Sequence, residues 1–349
     1  MTTNGHTQPI DFCTLGMFII DEIHPAPSSP DQKPHYNIPG GAGTYSALGA
    51  RLFSPPPTSS RSVGWIVDAG PDFPPELRET ILSWQTGVLL RPRDQPTTSA
   101  WNGYEANEHR AFRYLNEKKR LTAEDLTPAL LSARSFHLIC SPIRCISLVQ
   151  RILDRRKAET AVTDAPIFIW EPVPDLCIPD ELENTYEALN HVDIVSPNHE
   201  ELASLFAYKQ PETGEVDRGA VEGQCQDLLA RCSESSRLNA VVVRAGKEGC
   251  FVARRKTKQW LPAYHQDSSN VLDPTGGGNG FLGGFAVGLV RNEGDVIEAA
   301  RWGSVAASFC IEQIGLPMLN TIIASATCVD EVWNDESVSD RLSEYNTRI

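Results

Sequence analysis

Apolar residues run nearly unbroken through a series of short stretches: FCTLGMFII (12–20), SVGWIV (62–67), SFHLIC (135–140), PIFIWE (166–171), VDIVSP (192–197), NAVVVRAG (239–246) and CFVAR (250–254). Each predicts a strand. Between them the period lengthens to that of helices, in TYSALGARLF (44–53), PELRETILSW (75–84), SLVQRILDRRK (147–157), EELASLF (200–206) and GQCQDLLARCSES (223–235). GFLGGFAVGLVRN (280–292) and VIEAARWGSVAASFCIEQI (296–314) close the helical series. Strands without polar alternation, interleaved with helices, predict an α/β fold with a mostly parallel sheet covered on both faces. Such sheets bind ligands beyond the carboxyl ends of their strands. The glycine turns of this chain fall at strand-to-helix junctions.

Two stretches interrupt the pattern. Residues 21–39 are Pro-rich and polar, and residues 91–114 alternate aromatic and charged side chains. They predict an antiparallel flap projecting from the sheet, although two long surface loops would carry the same residues. The expected organisation is one domain over 1–349, with the flap drawn from about 21–39 and 91–114. Residues 329–349 are expected as a C-terminal surface helix and tail.

The chain has 349 residues, 41% of them hydrophobic, which is ample for a core. Its formal net charge of −14 argues against a nucleic acid or an anionic membrane as partner. The nine cysteines include no CxxC pair, and several lie inside apolar runs, so buried free thiols of a reducing compartment are expected. The N-terminus has no basic region, and LGMFII is too short to cross a bilayer. A cytoplasmic protein is the expectation.

The candidate chemistry centres on DPTGGGNGFLGGF, residues 273–285. Gly276, Gly277 and Gly278 let backbone N–H groups converge, and the helix that follows adds its positive end. Together these suit negative charge building on a transferred phosphoryl group. The plain alternative is a tight turn before a buried helix. The formal GxGxxG match over 278–283 lacks the strand and acidic residue that a dinucleotide site needs. Gly246-Lys247 is followed by Glu248 where a P-loop needs Ser or Thr.

Asn198 follows a strand end with Glu201 three residues on, the spacing of a capping box. At the same sheet edge as the glycine turn, that pair could instead hold a water-coated Mg²⁺ against a phosphate. Gly40, Gly41 and Gly43 precede a helix and would let a small ligand approach the backbone. Asp21 is a candidate to bind hydroxyls or a solvated loop acid. Gly246 to Gly249 is either a site element or a hairpin turn.

Taken in order, these motifs resemble the PfkB (ribokinase-like) family of carbohydrate and nucleoside kinases. Asn198-x-x-Glu201 matches its NxxE motif, Gly246-x-x-Gly249 its GxxG element, and Asp273-Pro-Thr-Gly-Gly-Gly-Asn-Gly its DTxGAGD signature. GGAGTYSALGARL and WEPVPDLC look closest to the fungal PfkB-like "maintenance of killer" proteins. The resemblance implies a three-layer α/β core with a small β lid, ATP with Mg²⁺ at the carboxyl end of the sheet, and a small hydroxylated substrate under the lid. It leaves room for a homodimer through the lid. By position it assigns Gly276, Gly277 and Gly278 to an anion hole, and Asn198 and Glu201 to Mg²⁺ through water. Asp21, Gly40, Gly41 and the Tyr45 position fall to the substrate. Gly246, Gly249 and the region of Ser304 fall to the nucleotide, and Asp273 and Thr275 to a monovalent cation, K⁺ in some members.

Three departures stand out. Tyr45 replaces an Asn that binds hydroxyls in many sugar kinases. Arg244 replaces a small or hydroxyl residue, where it could reach phosphate or block it. Asn279 replaces the catalytic Asp. Phosphoryl transfer rests mainly on positioning and charge stabilisation, and a positioned base adds roughly 10²–10⁴-fold. The expectation is therefore a slow ATP-dependent phosphotransferase acting on a hydroxyl of a sugar- or nucleoside-like substrate. Two alternatives stay open: a non-catalytic nucleotide- or metabolite-binding protein, and a pocket turned to an ATP-independent reaction.

Overall fold

The computed structural model describes residues 9–24, 33–104, 110–211, 213–233, 236–325 and 328–349, with the side chains of 104, 110–111, 322–325 and 328–330 set aside. The chain opens with β1 (Phe12–Thr14), β2 (Ile19–Ile23), β3 (His35–Gly40), α1 (Ala42–Leu52), β4 (Val63–Ala69), α2 (Pro75–Ser83), β5 (Gly87–Pro92), β6 (Ser99–Tyr104) and β7 (Arg110–Tyr114). Next come α3 (Pro128–Leu131), β8 (Ser135–Cys140), α4 (Pro142–Glu159), β9 (Ile167–Pro172), α5 (Leu182–Leu189), β10 (Ile194–Val195), α6 (His199–Leu205) and α7 (Arg218–Arg231). Last are β11 (Ala240–Arg244), β12 (Cys250–Ala253), β13 (Lys258–Leu261), α8 (Gly277–Arg291), α9 (Val296–Ile311), β14 (Leu319–Ser325), β15 (Cys328–Trp333) and α10 (Val338–Arg348).

Nine strands form one sheet in the order β13-β12-β11-β10-β9-β8-β1-β4-β5. All neighbours are parallel except at the β11-β12-β13 edge, which is antiparallel. Helices α1, α8 and α9 cover one face through Leu48, Phe285, Val287 and Phe309. Helices α4 to α7 cover the other through Val149, Ile152, Leu189, Leu202 and Leu228. Successive residues of β11 feed opposite cores, Val242 the first and Val241 and Val243 the second. This is the three-layer arrangement expected. Helix α4 starts five residues before its periodicity does: Ser141 caps it by accepting from Arg144 N, and Pro142 fits the first turn.

The run 12–20 does not form one strand. It divides into β1 in the main sheet and β2 in a separate four-stranded sheet, ordered β3-β2-β6-β7. That second sheet is the lid. It is not purely antiparallel as expected, because β2 and β6 pair parallel at its centre. Within the expected flap, residues 91 and 92 belong to β5 of the main sheet; 25–32 and 105–109 lie outside the described residues. The C-terminal segment also differs from expectation. Residues 328–333 pair with β14, and α10 buries Val338, Arg341 and Tyr345 instead of lying wholly on the surface.

The eight described cysteines are buried and free. No helix among the described residues is long and apolar enough to cross a membrane.

The α1–α8 contact fixes the site. A Cβ on Gly49 of α1 would overlap the carbonyl oxygen of Gly280, and one on Gly283 of α8 would overlap that of Ser46. The two backbones therefore touch. Gly283→Ala should destabilise the fold by roughly 1–3 kcal/mol in urea unfolding, because overpacking against backbone outweighs the gain in helix propensity. Stability equal to or above that of the unchanged protein would show that the seam can open at no cost.

Candidate functional site

Helix α8 begins on Gly276, whose φ of 80° is left-handed and has no side-chain cap beside it. A residue with a Cβ is strained there, and it would also overlap the ring of Tyr45. Gly277 N donates to Pro274 O at 3.2 Å, and the amide of Gly278 follows it at the positive end of a 15-residue helix. Gly41 (φ 85°) starts α1 in the same way. The Tyr45 ring is buried, and its hydroxyl donates to Gly315 O at 3.3 Å. Asp21 on β2 is also buried, and its carboxylate lies against Gly40, where a Cβ would overlap it.

Asn198 and Glu201 form a reciprocal cap on α6. Asn198 Oδ1 accepts from Glu201 N at 2.7 Å, and Glu201 Oε2 accepts from Asn198 N at 2.7 Å. The capping reading of this pair is therefore realised. Arg244, at the end of β11, connects the cap to the glycine turn. Its Nη2 donates to Ser196 O at 2.9 Å and lies 3.5 Å from Glu201 Oε2. Its Nη1 is packed so closely on Gly278 that a Cβ there would overlap it.

Two residues at the centre were not singled out from sequence. Glu171, near the end of β9, pairs with Arg244 Nη1 through Oε1 at 3.0 Å. Its Oε2 accepts from Asn279 Nδ2 at 2.7 Å and contacts His137 Nε2 at 3.0 Å. His137 is fully buried on β8, and its Nδ1 lies 3.3 Å from Thr14 Oγ1. Thr14 Oγ1 accepts from Gly16 N, and because the Glu171 carboxylate only accepts, His137 Nε2 carries a proton toward it. The available signal was a carboxylate ending an otherwise apolar strand, at the edge where parallel sheets bind ligands.

Burial raises the Glu171 carboxyl, but Arg244 and the donors His137 and Asn279 outweigh it and hold the group below its ordinary 4.5. Glu201 goes the other way: burial raises it, and Arg244 offsets this only in part. Cys177, nearby, is pushed up to about 12 by burial and then by Glu201, which leaves it a poor nucleophile.

Beside this cluster lies a cleft of ≈ 430 Å³. Phe281, Ala307 and Ile311 give it apolar walls; Arg244, Lys247, Gly277 and Gly278 supply polarity at one end. Gly246, Gly249 and Ser304 line it too. Asp273 lies in the loop before α8, where its Oδ1 accepts from Thr275 N at 3.0 Å. Among the described residues no group of three or more His, Cys, Asp or Glu side chains converges as a metal site.

The profile of the pfkB family carbohydrate kinases matches residues 104–319. Protein MAK32 of Saccharomyces cerevisiae is 35% identical over 95% of this chain and 91% of its own length. The chain belongs to the pfkB family. Ribokinase of Staphylococcus aureus is 25% identical over 47% of this pfkB-family chain and 49% of its own. Among solved structures, a probable sugar kinase from Rhizobium etli superposes with a TM-score of 0.69 at 16% identity, covering 97% of this chain and 99% of that one. A putative ribokinase II from Escherichia coli, solved in complex with ATP and Mg²⁺, gives 0.62 at 18% identity with the same coverage. At these identities the structures establish the ribokinase-like fold.

In this pfkB-family protein, Asn279→Asp would set a second carboxylate against Glu171 and remove one of its donors. One carboxyl of the pair would then have a folded pKa above its unfolded value, so the penalty appears as pH rises above about 4.5 and is absent below it. Urea unfolding should show Asn279→Asp destabilised by roughly 1–3 kcal/mol at pH 7, and nearly equal to the unchanged protein at acid pH. A loss independent of pH would mean that the two carboxyls do not interact.

Proposed function

We propose that this protein binds ATP in the cleft beside α8 and transfers its terminal phosphoryl group, slowly, to a hydroxyl of a small sugar- or nucleoside-like substrate. One observation carries this reading: the glycine start of α8, with Gly278 next to the Gly277 amide that Pro274 O already holds, lines an apolar-walled cleft that also receives Arg244 and Lys247. The apolar walls suit a base, and the amides with the two cations suit phosphates. In the step, the substrate oxygen bonds to the γ-phosphorus, the bond from that phosphorus to the β,γ-bridging oxygen breaks, ADP leaves, and the hydroxyl proton passes to water. Asp21 and the Gly40-Gly41 turn would hold the substrate hydroxyls under the lid. Asn279 cannot take the hydroxyl proton, which is why the transfer is slow.

Mg²⁺ belongs to the family expectation. Asn198 Oδ1 and Glu201 Oε2 are used in the cap, and both Glu171 oxygens have partners. Glu201 Oε1, outside the cap, is the oxygen that would hold a hydrated Mg²⁺, where the ion would supply positive charge beside phosphate. The loop 273–275 remains the proposed place for a monovalent cation. The exposed rings of Tyr36 and Phe112 on the lid sheet support pairing of two copies there.

A second reading, a non-catalytic nucleotide- or metabolite-binding protein, is favoured by Asn279, whose amide is bound to Glu171 in the place of a base. Incubation with γ-labelled ATP and a panel of sugars and nucleosides, with and without magnesium, separates the two. Slow label transfer supports the phosphotransferase; binding of ATP without any transfer at high protein concentration supports the second reading. A double variant, Glu171→Gln with Asn279→Asp, moves the carboxylate to position 279 without a like-charged neighbour. It should exceed Asn279→Asp alone in rate by roughly 10-fold or more, within the range of a positioned base.

A further inference from the structure

One wall of the cleft beside α8 is neither strand nor α-helix. Residues 263–268, between β13 and α8, form it. A second cavity, of ≈ 770 Å³, lies against the same segment, and Tyr264, His265 and Asp267 line both. None of residues 262–271 is buried. A segment with space on both sides has little packing of its own to hold it, so its polar ties decide its position.

Those ties lead to α10. Tyr345 is 1% exposed and donates its hydroxyl to Pro262 O. Arg348 Nη1 donates to Tyr264 O at 3.1 Å. The Tyr264 hydroxyl donates to Glu344 Oε2 at 2.8 Å, and the guanidinium groups of Arg341 and Arg348 lie 5.0 Å and 4.4 Å from the centre of its ring. The two bonds to carbonyls fix the backbone of the wall as well as its side chains. Helix α10 is anchored in turn on α9: Arg341 Nη1 donates to Ser308 Oγ at 2.9 Å and to Glu312 Oε1 at 2.6 Å, and His265 Nε2 lies 2.9 Å from that same Glu312 oxygen. Ser308 lines the cleft, whereas Tyr345 and Arg348 do not. Helix α10 lies beyond residue 319, where the match to the family profile ends.

We propose that α10 positions the wall that receives the nucleoside base. Tyr345 and Arg348 are positioning residues: they hold residues 262–268 through the carbonyls of Pro262 and Tyr264, and so set the affinity of the cleft for ATP without touching the nucleotide. This rests on the nucleotide reading given above. It goes further in assigning part of that affinity to a helix outside the cleft.

Hydrogen–deuterium exchange of the full-length protein with and without ATP, joined to calorimetric titration, decides it. In the unchanged protein ATP should slow exchange within 262–271 by about fivefold or more. The double variant Tyr345→Phe with Arg348→Gln should exchange faster there in the absence of ATP. Its dissociation constant for ATP should rise by about tenfold, the scale of a lost pair of hydrogen bonds. Arg348→Lys, which keeps a donor for the Tyr264 carbonyl, should stay within about twofold of the unchanged protein.

ATP that binds the unchanged protein and leaves exchange of 262–271 as it was overturns this inference and leaves the nucleotide reading standing. A double variant whose segment exchanges no faster also overturns it, as does one whose segment exchanges faster at unchanged affinity, because the support would then be structural only. Absence of ATP binding to the unchanged protein overturns the inference and the nucleotide reading together. If the double variant fails to fold, Arg348→Gln alone, whose side chain is 37% exposed, carries the same comparison and should weaken ATP binding by about threefold or more.

Discussion

Everything at the carboxyl end of the sheet depends on how closely α1 approaches α8. Helices ordinarily keep about 8–10 Å between axes because their side chains separate them. Here Gly49, Gly280 and Gly283 remove the side chains and let backbone meet backbone. The contact places the two left-handed glycine starts, Gly41 and Gly276, at one end of the molecule, and it brings the Tyr45 ring of α1 under the first turn of α8. The lid strand that ends at Gly40 and the helix that opens the cleft are thereby tied to the same rigid pair.

Around that frame the charges are arranged economically. Glu171 and Glu201 are buried acids, and an unpaired carboxylate in such surroundings would be very unfavourable. Arg244 lies between them and answers both. Asn279 and His137 complete the shell of Glu171 as hydrogen-bond donors, and Thr14 contacts the other ring nitrogen of His137 from behind. The amide at position 279 is thus part of a satisfied network, with a carboxylate as its neighbour. Phosphate chemistry in this cleft would begin from a site whose internal charges already have partners.

The layered fold was legible because short apolar runs bounded by turn residues alternate with longer stretches of helical period. What remained hidden has physical causes. Strand β13 has an exposed, polar face at the sheet edge, so KQWL offers no apolar run. The break in FCTLGMFII depends on which sheet each half joins, and local sequence does not record that choice. At the site, the glycine turn, the NxxE pair and Arg244 were legible and do come together. Glu171 was not, because a single acid at a strand end looks like any other loop acid until its partners are placed. His137 was hidden for the opposite reason, since an imidazole within SFHLIC reads as core.

The buried thiols have a consequence of their own. Burial pushes Cys13, Cys250 and Cys310 up to about 12, and these three lie on β1, β12 and α9, elements far apart along the chain. Only the thiolate reacts readily with an alkylating reagent, so these three thiols should be almost silent to one in the folded molecule. Modification would then wait for a segment to open, and the order in which these sulfurs become labelled would chart which parts of the architecture loosen first.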